Sequence, residues 1–253
     1  PNVISWWILN ASDRTIILKF LGVAANGIYS AANKFSGIYA TIFNIFNLSW
    51  TETVALHFKE DNASKDFNQL QSYVIRFFSC MFLGITAVMP LVFKILVNER
   101  YAQAYFQIPP LLMGAFFSAM TGVIGAYYVA EKMTTVIAKM TFLSAVLNVV
   151  INLALVNQFG LFAASFSTLL SYLIVFVMRY FDVKKRFGIK IEMKLIFSTL
   201  IMTAVIWFTY YRANTIECGI VLVLVVIYSV YMNKFILKSV IKLIIEKFSK
   251  KHV

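Results

Sequence analysis

An Asp-Arg pair, Asp13-Arg14, lies inside the first apolar segment of the chain, and Lys34 lies inside the second. An ionised side chain at the centre of a membrane-spanning helix costs about 3 kcal/mol or more, so it persists mainly where it faces a protein interior or a watery cavity. The guanidinium group of Arg14 can hold two phosphate oxygens at once, and Lys34 would add a point charge. We therefore predict that these residues meet an anionic ligand. The alternative is a structural ion pair that never contacts a ligand.

The elements that carry these residues are predicted to be membrane-spanning helices. The chain is 60% hydrophobic and 13% charged, whereas a soluble domain has roughly 25% charged residues. Its apolar runs reach the ~20 residues needed to cross a bilayer. The fold class is therefore all-α, a polytopic membrane protein of about eight transmembrane helices. We predict them at 3–21, 27–50, 71–97, 108–130, 136–156, 161–181, 193–211 and 216–233.

The same reading divides the chain into three parts and gives it an orientation. Residues 1–181 form a bundle of six helices, residues 182–233 add two helices, and residues 234–253 form a basic amphipathic tail. If the tail is cytoplasmic, 17 of the 23 Lys and Arg residues fall on the inner side and four on the outer side, with Arg14 and Lys34 left at membrane depth. This asymmetry predicts that both ends are cytoplasmic. The longest predicted loop is polar and spans 51–70.

Polar side chains recur along the second predicted span at helical spacing. In lipid such a face must turn toward other helices or toward water. Hydration of a central cavity explains the length of this stripe better than helix packing alone. Shorter polar rows mark the fifth and sixth spans, where helix packing is the competing explanation. The stripe consists of Asn26, Ser30, Asn33, Gly37, Thr41, Asn44, Asn47 and Thr51; the shorter rows are Thr141, Ser144, Asn148 and Asn152, and Ser165, Thr168 and Tyr172.

Several kinds of site have no support in the sequence. Cys80 and Cys218 lie apart in apolar segments, and His57 and His252 have no neighbours at metal-ligand spacing. There is no nucleotide-binding loop, no Ser-His-Asp arrangement and no acidic pair suited to glycosyl transfer. We therefore expect no enzyme activity, no catalytic residues, no cofactor, no metal and no nucleic-acid partner.

Three runs of residues resemble a known signature, the start of the second half of the polysaccharide and O-antigen flippases. These proteins belong to the multidrug/oligosaccharidyl-lipid/polysaccharide flippase superfamily. The runs are Ser5 to Gly22 (SWWILNASDRTIILKFLG), Gly27 to Lys34 (GIYSAANK) and Asn47 to Trp50 (NLSW). The resemblance continues as hydropathy to about residue 233.

The resemblance implies a longer protein with two bundles of six helices around a central cavity, of which this chain would be the C-terminal bundle plus two helices. The ligand would be an oligosaccharide on undecaprenyl pyrophosphate, a precursor of lipopolysaccharide O-antigen or capsule, moved by alternating access across the bacterial cytoplasmic membrane. Arg14 and Lys34 would hold the pyrophosphate, and Asp13, Asn33, Asn44 and Asn148 would complete the substrate site. Other partners would be membrane lipids, the missing N-terminal bundle and a polysaccharide polymerase.

Four alternatives stay open at this stage. A multidrug or cation antiporter of the same superfamily would favour acidic cavity residues, and the intramembrane charges here are net basic. A lipid II flippase is closer to the first interpretation. A membrane polymerase or acyltransferase is disfavoured because the predicted outer loops have only about 5–10 residues. A non-catalytic assembly subunit would use the buried charges only for folding.

Overall fold

The chain is all-α in the computed structural model, which describes the backbone of residues 2–58 and 63–238 and the side chains of 11–58 and 66–238. Within these residues, seven helices are long and apolar enough to cross a membrane. A 3-10 helix, Glu99–Gln107, leads into the third of them. The α-helices are α1 (Asn2–His57), α2 (Ala63–Leu96), α3 (Ile108–Ala130), α4 (Thr134–Phe159), α5 (Leu161–Phe187), α6 (Met193–Arg212) and α7 (Thr215–Met232).

Helix α1 contains both of the first two predicted spans, joined at Gly22. The backbone there has φ 87° and ψ 179°, a conformation that is open essentially only to glycine. Tyr29 Oη donates a hydrogen bond to Asp13 Oδ2 at 2.8 Å. Along a straight helix, 16 residues would separate these two by about 24 Å, beyond the reach of both side chains. The chain therefore folds back at Gly22, and residues 2–21 and 23–57 form two adjacent limbs.

The predicted polar loop at 51–70 was largely wrong, because both flanking helices extend into it. The second limb of α1 runs to His57, and α2 begins at Ala63. Trp50 and Val54 are buried on one face of this extension, and their spacing of four residues continues the helical period. A hydropathy window marks the apolar part of a helix and so places the end of an amphipathic extension too early.

The chain divides into two compact units. The first comprises the described residues up to Asn68 together with Val92–Ile191, and the second comprises Gln69–Leu91 together with the described residues from Glu192 onward. The middle of α2 thus belongs to the same compact unit as α6 and α7. The division into a bundle at 1–181, two helices at 182–233 and a tail stays a prediction. The predicted tail at 234–253 lies outside the described residues from position 239 on.

The second unit is held together by polar contacts as well as by apolar packing. Arg76 Nη2 donates to Glu192 Oε2 at 2.8 Å. Ser198 Oγ and Tyr228 Oη lie 2.7 Å apart and join α6 to α7. The rings of Tyr73 and Phe235 stack with centroids 5.1 Å apart.

Helix α3 is the central helix of the first unit. In its most apolar window 78% of the residues are buried, compared with 22% in α1 and α4. Small residues allow this close approach. A Cβ atom on Gly122 would lie only 2.7 Å from Cε1 of Phe43, which packs from the second limb of α1. Trp50 Nε1 donates to the main-chain carbonyl of Val123 at 3.0 Å.

A candidate binding cavity in the first unit

A cavity of about 450 Å³ lies within the first unit, between α1, α3, α4 and α5. Its walls combine amides, hydroxyls and glycines with eight apolar side chains. Among the described residues, one acidic and one basic side chain line it, and these are Asp13 and Arg179. The other polar lining residues are Tyr29, Asn33, Ser36, Asn44, Asn47, Thr51, Ser118, Thr121, Thr141, Thr168 and Tyr172.

Asp13 is buried at one end of this cavity and accepts three side-chain hydrogen bonds. Tyr29 Oη donates to Oδ2 at 2.8 Å, Thr168 Oγ1 donates to Oδ2 at 2.7 Å, and Asn152 Nδ2 donates to Oδ1 at 2.8 Å. The donors come from the second limb of α1, from α5 and from α4, so the carboxyl group joins all of them to the first limb. No basic side chain in the described part of the chain forms an ion pair with it.

Arg179 lies on α5 at the other end of the cavity, and its side chain is 5% exposed. Nη1 donates to the main-chain carbonyl of Thr121 at 2.9 Å, and Nη2 donates to Thr141 Oγ1 at 3.3 Å. Nε is buried and has no hydrogen-bond partner among the described residues. A buried guanidinium group with an unused donor is costly.

The two charged ends are too far apart to neutralise each other. Thr168, which donates to Asp13, precedes Arg179 by 11 residues on α5. At 1.5 Å per residue this spacing corresponds to about 16 Å along the helix axis. The cavity therefore has an acidic end and a basic end, with amides and hydroxyls between them.

Two of the predicted charged residues do not line the cavity. Arg14 and Lys34 are both exposed and are absent from its walls. Successive residues of a helix point about 100° apart, so Arg14 turns away from the direction taken by Asp13, and Lys34 turns away from that of Asn33. The structure therefore does not bring these two cations together with the acidic residue in this cavity.

The predicted asparagines divide into two groups. Asn33 and Asn44 line the cavity as expected, and Asn33 Oδ1 accepts a hydrogen bond from Ser36 Oγ at 2.7 Å. Asn148 is fully buried and lies outside the lining. Its Oδ1 accepts from Ser12 Oγ, while its Nδ2 donates to the hydroxyl groups of Ser167 and Thr168. Its amide therefore joins α4 to α1 and α5, and the placement of Asn148 in the substrate site stays a prediction.

The polar stripe of the second span is largely a cavity wall. Five of its eight positions line the cavity. Thr41 is exposed and instead donates to the carbonyl of Gly37 within the same helix. The five are Asn33, Gly37, Asn44, Asn47 and Thr51.

Arg179 was missed as a cavity residue because the sixth span was predicted to end at 181, which placed this residue among the cytoplasmic charges. The helix in fact continues to Phe187. The signal that finds it is the helical period, because Thr168, Tyr172 and Arg179 follow one face at spacings of four and seven residues.

Comparison with protein-family models, with curated proteins and with solved structures gave no match to this chain. The resemblance carried by the SDR and GIYSAANK runs therefore stays a prediction.

Proposed function

We propose that this chain is the C-terminal part of a flippase that moves an undecaprenyl-pyrophosphate-linked oligosaccharide across the bacterial cytoplasmic membrane by alternating access. The observation that carries the proposal is the polar cavity inside a set of helices long and apolar enough to cross a membrane. Membrane helices bury polar side chains at a cost, so a cavity wall with 13 polar or charged side chains indicates water or a polar ligand.

The wall chemistry suits a sugar. Amide groups supply donors and acceptors together, as do hydroxyl groups, and a sugar ring presents hydroxyl groups in every direction. Asn44 and Thr51 lie 7 residues apart on one helix face and both line the cavity. Asn47 Oδ1 lies between them in sequence, buried and without a hydrogen-bond partner in the described part of the chain. A sugar hydroxyl would satisfy it.

A second candidate function is favoured by Asp13. A buried carboxyl group with three neutral donors and no basic partner is a group that can exchange a proton or a cation as its surroundings change. An ion-coupled antiporter of the same superfamily would use such a residue. Within the flippase proposal, Asp13 couples an ion to the movement of the lipid-linked sugar instead of binding the sugar itself.

The test compares two isosteric changes on the same helix. Thr51→Val removes a hydroxyl group from the cavity wall, whereas Thr53→Val removes one that is exposed and donates to the carbonyl of Ser49 within its own helix. The complete open reading frame that encodes this chain is expressed in a host that lacks its polysaccharide flippase. Surface polysaccharide and the amount of membrane-inserted protein are measured together.

Combined with Asn44→Leu, Thr51→Val is expected to reduce surface polysaccharide at least about tenfold at a normal protein level, because two polar contacts to the sugar are lost. The control is the double variant Asn44→Leu/Thr53→Val, whose second change lies off the cavity wall. It is expected to retain more surface polysaccharide. Failure of the unsubstituted protein to restore any polysaccharide would contradict the proposal.

A further inference from the structure

We propose that Arg179 is the anchor for a phosphoryl group that enters the basic end of the cavity. The choice of phosphoryl over other oxyanions rests on the proposed function. The presence of an oxyanion site rests on the geometry of the residue itself.

The guanidinium group is held in place but is not saturated. Nη1 is fixed by the Thr121 carbonyl of α3 and Nη2 by the Thr141 hydroxyl of α4. These two contacts come from different helices and orient the planar group. Nε remains buried, without a hydrogen-bond partner in the part of the chain that the structure describes. A phosphoryl oxygen is an acceptor without a proton, and it matches a donor-only guanidinium group in charge and in hydrogen-bonding capacity.

Helix α3 leaves room for the guanidinium group of Arg179. A Cβ atom on Gly125 would lie 3.3 Å from Nη1 of Arg179, so any larger residue there presses on the guanidinium. Gly122 lies one turn earlier on the same face of α3, and its ideal Cβ would lie 3.7 Å from the unpartnered Oδ1 of Asn47. Residues three apart on a helix are neighbours. The guanidinium group of Arg179 and the unpartnered Oδ1 of Asn47 therefore lie beside glycines one turn apart on α3, an arrangement that fits a phosphoryl oxygen next to a hydroxyl group.

The charge distribution gives the site its polarity. Arg179 is the basic residue among the described cavity walls. Thr168, which donates to Asp13, lies about 16 Å from it along the axis of α5. An anion near Asp13 would meet a buried carboxyl group, whereas an anion near Arg179 would meet a positive charge that has no carboxylate partner in the described part of the chain. The same cavity therefore accepts an oxyanion at one end only.

The experiment measures binding of radiolabelled inorganic pyrophosphate to the purified chain in detergent by equilibrium dialysis. Arg179→Gln removes the charge and the fork, and Arg186→Gln is the matched control. Arg186 lies two turns later on the same helix, is exposed, and pairs with Asp182 at 2.8 Å. We expect Arg179→Gln to weaken binding at least about tenfold, as the loss of a charge-assisted hydrogen bond does. We expect Arg186→Gln to change binding less than about twofold, as a screened surface charge does.

A second variant keeps the proposal testable if Arg179→Gln does not fold. Gly125→Ala retains the positive charge and places a methyl group against Nη1, so it is expected to weaken pyrophosphate binding while Gly84→Ala, in open space on α2, has no effect. Pyrophosphate binding that is equal in the unsubstituted chain, Arg179→Gln and Gly125→Ala would overturn the proposal. Equal competition by citrate, a carboxylate, would overturn the choice of phosphoryl.

Two sources of phosphoryl group are separated by competition. Geranyl pyrophosphate represents a prenyl carrier, and a short-chain phosphatidylglycerol represents a bilayer lipid. Stronger competition by geranyl pyrophosphate supports a carrier-linked ligand, and stronger competition by phosphatidylglycerol supports a lipid head group at the same residue. If the unsubstituted protein binds pyrophosphate but does not restore surface polysaccharide, the flippase function is contradicted and the anchor is not. If surface polysaccharide is restored but Arg179→Gln binds pyrophosphate as well as the unsubstituted chain does, the anchor is contradicted and the flippase function is not.

Discussion

Tyr29 donates its phenolic hydrogen to Asp13 across the fold at Gly22, with 2.8 Å between Oη and Oδ2. This contact joins the two limbs of α1 and places a carboxyl group at one end of the cavity. Tyr29→Phe is expected to reduce the free energy of unfolding by about 0.6–1.7 kcal/mol, the range for a hydrogen bond between helices in a membrane. The midpoint of unfolding in sodium dodecyl sulfate measures it.

Tyr231→Phe is the control for this change, because Tyr231 is 65% exposed on α7. An equal loss of stability in both variants would contradict a specific role for the Tyr29–Asp13 contact.

The chain reversal at Gly22 requires glycine because of its backbone conformation, and not because a side chain would lack space. Apart from the neighbouring backbone, no atom of the described residues lies within 4 Å of a Cβ atom built there, yet φ is +87°. Gly22→Ala is therefore expected to cost about 1–3 kcal/mol through backbone strain alone. Gly84→Ala, which also has open space but lies within α2, is expected to be neutral or slightly stabilising because alanine is the better helix former. Thermal unfolding in detergent compares the two, and equal unfolding temperatures would argue against a strained turn.

The close approach of α3 to the second limb of α1 predicts a steric defect with a specific rescue. Gly122→Ala would place a methyl group 2.7 Å from Cε1 and 2.9 Å from Cζ of Phe43. Overpacking of this kind costs about 1–3 kcal/mol. Phe43→Leu in the same chain is expected to recover part of the loss, because it removes the ring atoms that clash. A double-mutant cycle on unfolding stability measures the coupling, and strictly additive effects would contradict the packing described here.

The two cavity asparagines predicted from sequence should behave differently from Asn148. Asn148→Ala removes three hydrogen bonds between helices and is expected to cost about 2 kcal/mol, at roughly 0.6 kcal/mol for each bond. Asn44→Ala is expected to leave stability nearly unchanged, since Asn44 is an exposed cavity-wall residue. A larger loss of stability in Asn44→Ala than in Asn148→Ala would contradict this structural role of Asn148.

Hydropathy and helical period predicted most of the helices and the inward face of the second limb. The stripe from Asn33 to Thr51 turned toward a cavity because polar side chains cannot face lipid without loss. The helix at Glu99–Gln107 and the extension from Thr51 to His57 were not predicted, because neither is apolar along its whole length.

The charges were harder to assign. Asp13 and Arg14 are adjacent in sequence, and a helix turns them about 100° apart, so only the contacts with Tyr29, Asn152 and Thr168 identify the inward one. Arg179 was assigned to the cytoplasmic charges because it lies near the end of an apolar run. The helical period that it shares with Thr168 and Tyr172 could have placed it on the cavity face. Its contact with the main-chain carbonyl of Thr121, 58 residues away, could not be predicted from a local pattern.

The most direct test of the account is a translocation assay in proteoliposomes that contain the product of the complete open reading frame. A prenyl-pyrophosphate-linked oligosaccharide with a fluorescent sugar is placed in the membrane, and its movement between leaflets is followed by a quencher added outside. The lipophilic cation tetraphenylphosphonium is offered in parallel. The account predicts translocation of the lipid-linked sugar, with a loss in Arg179→Gln and retention in Arg186→Gln, and no transport of the cation. Transport of the cation without movement of the lipid-linked sugar would contradict it and favour the antiporter.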